Sequence, residues 1–159
     1  MTVTLTERAT WRRVRLSLVR ERAERPYVVR CAGDVVGLVR AFLRDDPRER
    51  FVAVYLDARH RPIAVHDAST GTADQSLVHP REVFGPALQL AAVALVVAHN
   101  HPSGDPTPSA QDRAVTERLR SAGELLGIAL LDHLVVGDRD YYSFADGGRH
   151  PLPGEGVGS

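Results

Sequence analysis

The feature that most constrains the fold is an uninterrupted apolar run, VALVVA, at residues 93–98. A run without polar alternation is typical of a strand that is buried on both faces, and such strands lie in the middle of a sheet. The rest of the chain must therefore cover both faces of that strand. We predict an α/β domain in which helices pack on a mixed or mostly antiparallel sheet.

Further strands are predicted on either side of this run. ERFVAVYLD, residues 49–57, is dense in β-branched and aromatic residues, and PIAVHDA, residues 62–68, returns beside it after a short turn. ALLDHLVVG at 129–137 and YYSFADGG at 141–148 predict two more strands, or one strand and its continuation. The sheet therefore combines a hairpin with several later strands.

Three helices are predicted from apolar residues that recur three or four positions apart. The first begins at Asp34, a good capping residue, and ends before Pro47. The second begins at Pro80, and the third runs from Ser109 to Gly127. The apolar faces are Val35, Leu38, Val39, Phe42 and Leu43; Val83, Phe84, Ala87, Leu88 and Ala91; and Val115, Leu119, Ala122 and Leu126.

The length of 159 residues and a hydrophobic content of 43% suit a single domain. We assign residues 1–11 to an N-terminal extension, 12–146 to the folded domain, and 147–159 to a tail rich in Gly and Pro that we expect to be disordered. Within the domain, the alternation over residues 14–18 favours a strand, although the intervening arginines would also suit a short helix.

Charge and cysteine content exclude several classes of function. Lys plus Arg equal Asp plus Glu at 20 each, so no global positive field attracts duplex DNA, and direct DNA binding by this chain is disfavoured. No stretch has the length of a signal peptide core or a membrane span, so we expect a cytoplasmic protein without membrane association. The single cysteine, Cys31, rules out an internal disulfide and a multi-cysteine zinc site.

The buried run leads into the segment that carries the chemistry, HNHPSGDPTPSAQD, residues 99–112. In extended backbone, side chains two residues apart point the same way, so His99 and His101 leave the strand on one face. Asn100 would point to the other face and is more suited to tying the loop to the backbone. The three prolines that follow stiffen the loop, which suits a metal site.

Ser109 and Asp112 have two possible roles. Ser-x-x-Asp resembles a helix capping box, with Asp in place of the usual Glu, so the segment could be a rigid loop that runs into a capped helix. Alternatively, Asp112 joins His99 and His101 in a zinc site of two nitrogens and one oxygen, which leaves a fourth position for water. Such an open position is typical of catalytic zinc.

These residues fit the pattern His-x-His-x7-Ser-x2-Asp, and the chain resembles the JAMM metalloprotease domain, also called MPN+ or JAB. In more detail it is similar to the bacterial RadC-like branch of that superfamily. The resemblance extends to ERFVAVYLD, GTADQSLVHPREVF and LGIALLDHLVVGD, and it covers about residues 12–146. It implies a cytidine-deaminase-like three-layer α/β/α sandwich with a central mixed sheet.

The resemblance also implies the roles of individual residues. Zinc is expected on His99, His101 and Asp112, with Glu49 as the catalytic glutamate; Glu82 is the competing candidate. From the residues alone, Glu49 would be an exposed carboxylate at a strand end. Ser109 would either cap its helix or stabilise a tetrahedral oxyanion through its hydroxyl, and both roles use the same oxygen.

The segment LDHL contains two further polar residues, and the chain differs from the family pattern in two respects. Asp132 and His133 are typical of the family and could support the site, or they could be strand-end polar residues bonded to the backbone. Many family peptidases carry Ser or Thr where this chain has Asn100. Full-length RadC-like proteins carry an N-terminal helix-hairpin-helix region for which this chain is too short.

The leading hypothesis is a zinc-dependent hydrolase that cleaves an amide or isopeptide bond in a peptide or protein substrate. The alternative is a non-enzymatic RadC-like binding module with a structural zinc, which acts in a DNA-processing or mobile-element context. A third hypothesis is hydrolysis of a non-peptide bond. Deamination is disfavoured because the Pro-Cys-x-x-Cys ligands of deaminases are absent. The sequence names neither a specific substrate nor an oligomeric state.

Overall fold

A computed structural model of the protein describes residues 28–43, 47–68 and 78–154. The predicted N-terminal extension, residues 1–11, and the predicted element over residues 14–18 lie outside these ranges. The described residues form three helices and six strands. In chain order they are α1 Ala32–Leu43, β1 Phe51–Leu56, β2 Pro62–Asp67, α2 Pro80–Gln89, β3 Ala94–Asn100, α3 Ala110–Leu126, β4 Ala129–Val136, β5 Asp140–Ser143 and β6 Gly148–Pro151.

The six strands form one mixed sheet in the order β2-β1-β3-β4-β5-β6. β3 and β4 are parallel and are connected through α3, whereas the other neighbouring strands are antiparallel. β3 has a strand on each side, and all seven of its residues are buried. The predictions of a mixed sheet and of a central position for the apolar run are confirmed.

Alternate side chains of the central strands enter two separate cores. On one face of the sheet, Val52 and Val54 pack with residues of α1 such as Val39. On the other face, Tyr55 packs with residues of α2 and α3, and its hydroxyl donates a hydrogen bond of 2.7 Å to the carbonyl of Val83. Helices therefore cover both faces, which makes the domain a three-layer α/β/α sandwich, the architecture that the resemblance implied.

Two helix predictions need correction. α1 begins at Ala32 rather than Asp34, and the Asp34 carboxylate accepts the backbone N–H of Cys31 from within the first turn. α2 ends at Gln89, so Ala91 lies beyond the helix, with a φ of 52°. Leu88, in the last turn of α2, is 56% exposed. The apolar spacing in the sequence continues beyond the part of α2 that packs on the sheet. The sequence pattern therefore predicted a longer buried face than the helix has.

Residues 148–151, in the segment predicted to be a disordered tail, form a strand, and residues 155–159 of that segment lie outside the described ranges. β6 pairs with β5 at the edge of the sheet, with Tyr142 opposite Arg149. Arg149 donates a hydrogen bond of 2.5 Å to the Asp140 carboxylate, and Leu152 packs against the α1 side of the core. An edge strand can form through backbone hydrogen bonds with few apolar residues, so composition alone missed it.

The topology brings the predicted site residues to one edge of the sheet. Because β1 is antiparallel to β3, the beginning of β1 lies beside the end of β3, and Phe51 is the register partner of His99. α3 follows β3 after a short loop, so its first turn also lies at this edge. The beginning of one strand, the end of another and a helix N-terminus therefore meet at one place.

Candidate metal centre

The structure brings Glu49, His99, His101 and Asp112 into one group. One ligand atom from each of the four side chains lies within 4.8 Å of the others. Within the described ranges, this is the single group of three or more histidine, cysteine or carboxylate side chains with such spacing. The group comes from the two ends of neighbouring strands and from the first turn of α3, and it could hold a metal ion.

The distances within the group fit a small tetrahedral cation. Nε2 of His99 lies 3.0 Å from Nε2 of His101 and 3.1 Å from Oδ1 of Asp112. Nε2 of His101 lies 3.2 Å from Oδ2 of Asp112. Ligand atoms about 2.0–2.1 Å from a tetrahedral zinc are about 3.3 Å apart, so these three side chains are spaced as zinc ligands are. Oε1 of Glu49 is slightly farther, 3.6 Å from Nε2 of His99.

The side chains of the group change one another's pKa values. Burial alone would raise the pKa of Asp112, but hydrogen bonds with His101 and His99 outweigh it and hold that pKa well below its usual range. The hydrogen bond with Asp112 raises the pKa of His101. Burial raises the pKa of Glu49 against the opposing influence of the two histidines. Asp112 is therefore ionised at neutral pH, and Glu49 is the more basic of the two carboxylates.

Asp112 takes part in a capping box and in the group at the same time. Its carboxylate Oδ2 accepts the backbone N–H of Ser109 at 2.7 Å, and its own N–H donates to Oγ of Ser109 at 3.0 Å. The other oxygen, Oδ1, faces His99. The two roles predicted for Asp112 are thus compatible. The exposed hydroxyl of Ser109 acts as an acceptor in the cap, which leaves its own proton available for donation.

The loop after β3 orients His101. Nδ1 of His101 lies 2.9 Å from the carbonyl oxygen of Asp105. Because a carbonyl can only accept, Nδ1 carries a proton, and in the neutral ring Nε2 presents a lone pair to the group. The backbone N–H of His101 donates to the carbonyl of Val136 at 3.0 Å, which ties the loop to the end of β4.

The side chain of Asn100 fastens the beginning of β1. Its Oδ1 accepts the backbone N–H of Arg50 at 2.7 Å, and its Nδ2 donates to the carbonyl of Arg48 at 3.1 Å. The prediction that Asn100 ties the loop to the backbone is confirmed. The backbone that it holds is the segment that carries Glu49.

A buried hydrogen-bonded chain lies behind His99. Nδ1 of His99 is 2.8 Å from Nε2 of His133, and Nδ1 of His133 is 2.7 Å from Oγ1 of Thr116. Oγ1 of Thr116 donates to the carbonyl of Asp112 at 2.7 Å. Sequence reasoning missed Thr116. Its position four residues after Asp112, on the same helix face, was the one available signal.

Asp132 has a structural environment distinct from that of His133. Its carboxylate accepts the backbone N–H of His133 at 2.7 Å, the hydroxyl of Ser143 at 2.6 Å and the backbone N–H of Ala145 at 2.9 Å. These contacts hold the connection between β5 and β6, where Phe144 stacks on the ring of His133 with centroids 5.0 Å apart. Asp132 itself lies outside the four-residue group.

The competing glutamate lies elsewhere. Glu82 is exposed in the first turn of α2 and forms an ion pair of 3.2 Å with Arg81. Glu82 does not belong to the group that the structure assembles. Of the two candidate glutamates, Glu49 is therefore the one placed beside His99.

None of the helices that the structure describes has the length and apolar character needed to cross a membrane.

Comparison with known proteins gives a family match. The model of the RadC-like JAB domain matches residues 29–149. A UPF0758 protein from Desulforamulus reducens is 45% identical over 126 residues, which cover 79% of this chain and 56% of that protein. A UPF0758 protein from Pelobacter propionicus is 50% identical over 106 residues, 67% of this chain and 46% of that protein. A UPF0758 protein from Halalkalibacterium halodurans is 44% identical over 126 residues, 79% and 54% of the respective lengths. The chain spans about half the length of these relatives.

Proposed function

The chain belongs to the family of RadC-like JAB domains, and from this membership and the geometry of the group we propose that it is a zinc-dependent hydrolase of the JAMM type. Its reaction is cleavage of an amide or isopeptide bond in a peptide or protein substrate in the cytoplasm. The observation that carries the proposal is the placement of the Glu49 carboxylate 3.6 Å from Nε2 of His99, at the edge of a His, His, Asp ligand set.

The donor set favours zinc. Imidazole nitrogens suit zinc and other late transition metals, whereas magnesium and calcium prefer sites built from oxygen alone. His99, His101 and Asp112 would hold the ion, because their ligand atoms lie 3.0–3.2 Å from one another. The chemistry that zinc supplies when bound is acidification of a water molecule and polarisation of a carbonyl.

Glu49 would serve as the general base and then as the general acid. Its half-buried carboxylate has a raised pKa, caused mainly by burial, so it holds a proton more readily than an exposed glutamate does. A carboxylate with these properties can take a proton from the attacking water and deliver it to the departing amine. Burial and the fixed start of β1 thus support the role of Glu49.

Ser109 would stabilise the oxyanion of the tetrahedral intermediate. Its hydroxyl is exposed at the N-terminus of α3, and its lone pair already accepts the N–H of Asp112. The hydroxyl proton can then be donated to an oxygen that gains negative charge, where the helix terminus also favours an anion. Capping and catalysis therefore use different parts of the same hydroxyl.

A second candidate is a non-enzymatic binding module with a structural metal, which acts in a DNA-processing or mobile-element context. It is favoured by the burial of His99, which is 1% exposed and bonded into the core through His133. In this function the metal would join the end of β3 to α3, and Glu49 would have no chemical role.

The test begins with metal content. Inductively coupled plasma mass spectrometry on the purified wild type should give about one zinc per chain, and His101→Ala and Asp112→Ala should lose it. His150→Ala is the matched control, because His150 bonds to Asp146 outside the group. No zinc in the wild type after resupply would overturn both functions.

A screen of peptide and isopeptide substrates then separates the two functions. For the hydrolase, Glu49→Gln should keep the zinc and lose turnover by a factor of about 10² or more. A wild type that holds zinc, turns over no substrate in the library, and unfolds when the zinc is chelated would instead support the structural module.

A further inference from the structure

We propose that His133 and Thr116 are positioning residues that fix the tautomer of His99, so that the fold presents the Nε2 lone pair of His99 to the metal site before any metal arrives. The inference rests on the proposed zinc site and does not depend on hydrolysis. It follows from the direction of three hydrogen bonds, each of which constrains the next.

The first constraint is at Thr116. Its Oγ1 lies 2.7 Å from the carbonyl oxygen of Asp112 and 2.7 Å from Nδ1 of His133. The carbonyl can only accept, so the single hydroxyl proton of Thr116 is directed at Asp112. The contact with His133 is then a hydrogen bond only if Nδ1 of His133 carries a proton and donates it to Thr116.

The second constraint is at His133. Its side chain is completely buried, and its two ring nitrogens lie against the hydroxyl of Thr116 and the imidazole of His99. Neither partner supplies a negative charge, so a positive charge buried there would be disfavoured and the ring is neutral. A neutral imidazole carries one proton, which Nδ1 already holds. Nε2 of His133 is therefore an acceptor, and it lies 2.8 Å from Nδ1 of His99.

The third constraint sets the tautomer of His99. Because Nε2 of His133 accepts, Nδ1 of His99 must carry a proton, and in the neutral ring the lone pair is left on Nε2 of His99. That nitrogen is the one that lies 3.1 Å from Oδ1 of Asp112 and 3.0 Å from Nε2 of His101. The carbonyl of Asp105 imposes the same tautomer on His101 from the loop side.

Ring packing holds the hydrogen-bonded histidines in place. Phe51 stacks against His99 with centroids 5.9 Å apart and an interplanar angle of 13°. Phe144 stacks against His133 at 5.0 Å and 11°. Each histidine ring therefore has an aromatic neighbour that opposes rotation, and the hydrogen bonds retain their direction. This series of hydrogen bonds ends at the carbonyl of Asp112, so it connects His99 with Asp112, two of the three predicted ligands, within the core.

The test measures zinc affinity by competition with a chromophoric chelator. His133→Leu replaces the acceptor by an apolar side chain that suits the buried position. The zinc dissociation constant of this variant should be about 10-fold to 100-fold higher than that of the wild type. Thr116→Val should shift the constant in the same direction by a smaller factor. His133→Gln, whose amide oxygen can accept from Nδ1 of His99, should recover part of the affinity. His150→Leu is the matched control and should leave the constant unchanged.

A second measurement reads the tautomer directly. In zinc-free protein at mildly alkaline pH, the nitrogen chemical shifts of His99 should report a proton on Nδ1 in the wild type and a mixture of tautomers in His133→Leu. A proton on Nε2 of His99 in the wild type, or wild-type zinc affinity in a folded His133→Leu, would overturn the inference. A wild type with the expected tautomer that binds no zinc would overturn the proposed function and leave the assignment of the tautomer intact.

Discussion

The side-chain amide of Asn100 holds the backbone on both sides of Glu49. It accepts the N–H of Arg50 at 2.7 Å and donates to the carbonyl of Arg48 at 3.1 Å, so the two peptide groups that flank the glutamate are fixed by one side chain of β3. The same strand carries His99. A single strand end therefore sets the position of the predicted base relative to a predicted metal ligand.

Replacement of Asn100 should separate the position of Glu49 from metal binding. Asn100→Ala leaves two backbone groups without their partner, which should lower the free energy of unfolding by about 1–3 kcal/mol. Turnover of a substrate identified by the screen should fall at least about 10-fold, because the base is misplaced. Urea unfolding, zinc content and turnover are measured on the same preparation. Retained zinc together with wild-type turnover would contradict the positioning role.

Ser109 allows capping and catalysis to be separated. Ser109→Ala should lower the free energy of unfolding by about 1 kcal/mol through loss of the cap and lower turnover by about 10² through loss of the donor. Ser109→Asp retains a capping oxygen and has no proton to donate when ionised, so it should keep the stability and lose turnover. Thermal unfolding and kinetic assays check the two effects independently. Full turnover in Ser109→Asp would remove the oxyanion role.

Replacement of Asp132 by asparagine should destabilise the fold less than replacement by alanine. Asp132→Asn retains an oxygen for the N–H groups of His133 and Ala145 and should change the free energy of unfolding by about 1 kcal/mol or less. Asp132→Ala leaves the buried N–H of His133 and the partly buried N–H of Ala145 without this acceptor and should cost more than about 2 kcal/mol. Urea denaturation of the two variants at neutral pH measures the difference, and equal losses would contradict it.

The Asp132 carboxylate should make the free energy of unfolding depend on pH in a defined direction. Burial raises the pKa of Asp132 above its ordinary value of 3.8, so the folded state holds this proton more tightly than the unfolded state. Its contribution to stability is present below that value and is lost as the pH rises through the folded pKa. The stability of the wild type relative to Asp132→Asn should therefore decrease from about pH 4 upward. Parallel denaturation curves across this range test the direction.

Gly137 is predicted to be essential for the loop that carries His101. A Cβ at this position would lie 2.4 Å from the carbonyl oxygen of Gly104 and 2.8 Å from Cδ of Pro106. Gly137→Ala should push the loop away from β4, lower the free energy of unfolding by about 1–3 kcal/mol and weaken zinc binding. Gly37→Ala in α1 is the control, since a Cβ there has no neighbour within 4 Å. Wild-type zinc affinity in Gly137→Ala would show that the loop can shift without disturbing the site.

Local chemistry explains what the sequence predicted well. The apolar run of β3 has one favourable environment, the centre of a covered sheet, and it lies there. Ser109 and Gly127 bound α3 because a capping oxygen and a left-handed residue, here with a φ of 71°, act on the adjacent backbone. Such signals need no knowledge of the tertiary structure.

The features that the sequence missed or left open depend on contacts between elements. His99 and His133 come together because β3 and β4 are parallel and His133 is the register partner of Val97, two residues before His99. Thr116 reaches His133 only when α3 packs on that face of the sheet. The choice between Glu49 and Glu82 likewise depends on the register that pairs Phe51 with His99. Neither periodicity nor composition contains this information.

The double use of Asp112 links helix dynamics to ligand exchange. Opening of the first turn of α3 breaks the capping box and withdraws the Asp112 carboxylate from the group in a single event. Local unfolding of a helix terminus requires far less free energy than global unfolding. The rate at which this domain gains or loses an ion should therefore follow the fraying of one helical turn, and amide hydrogen exchange at Asp112 would report the same process.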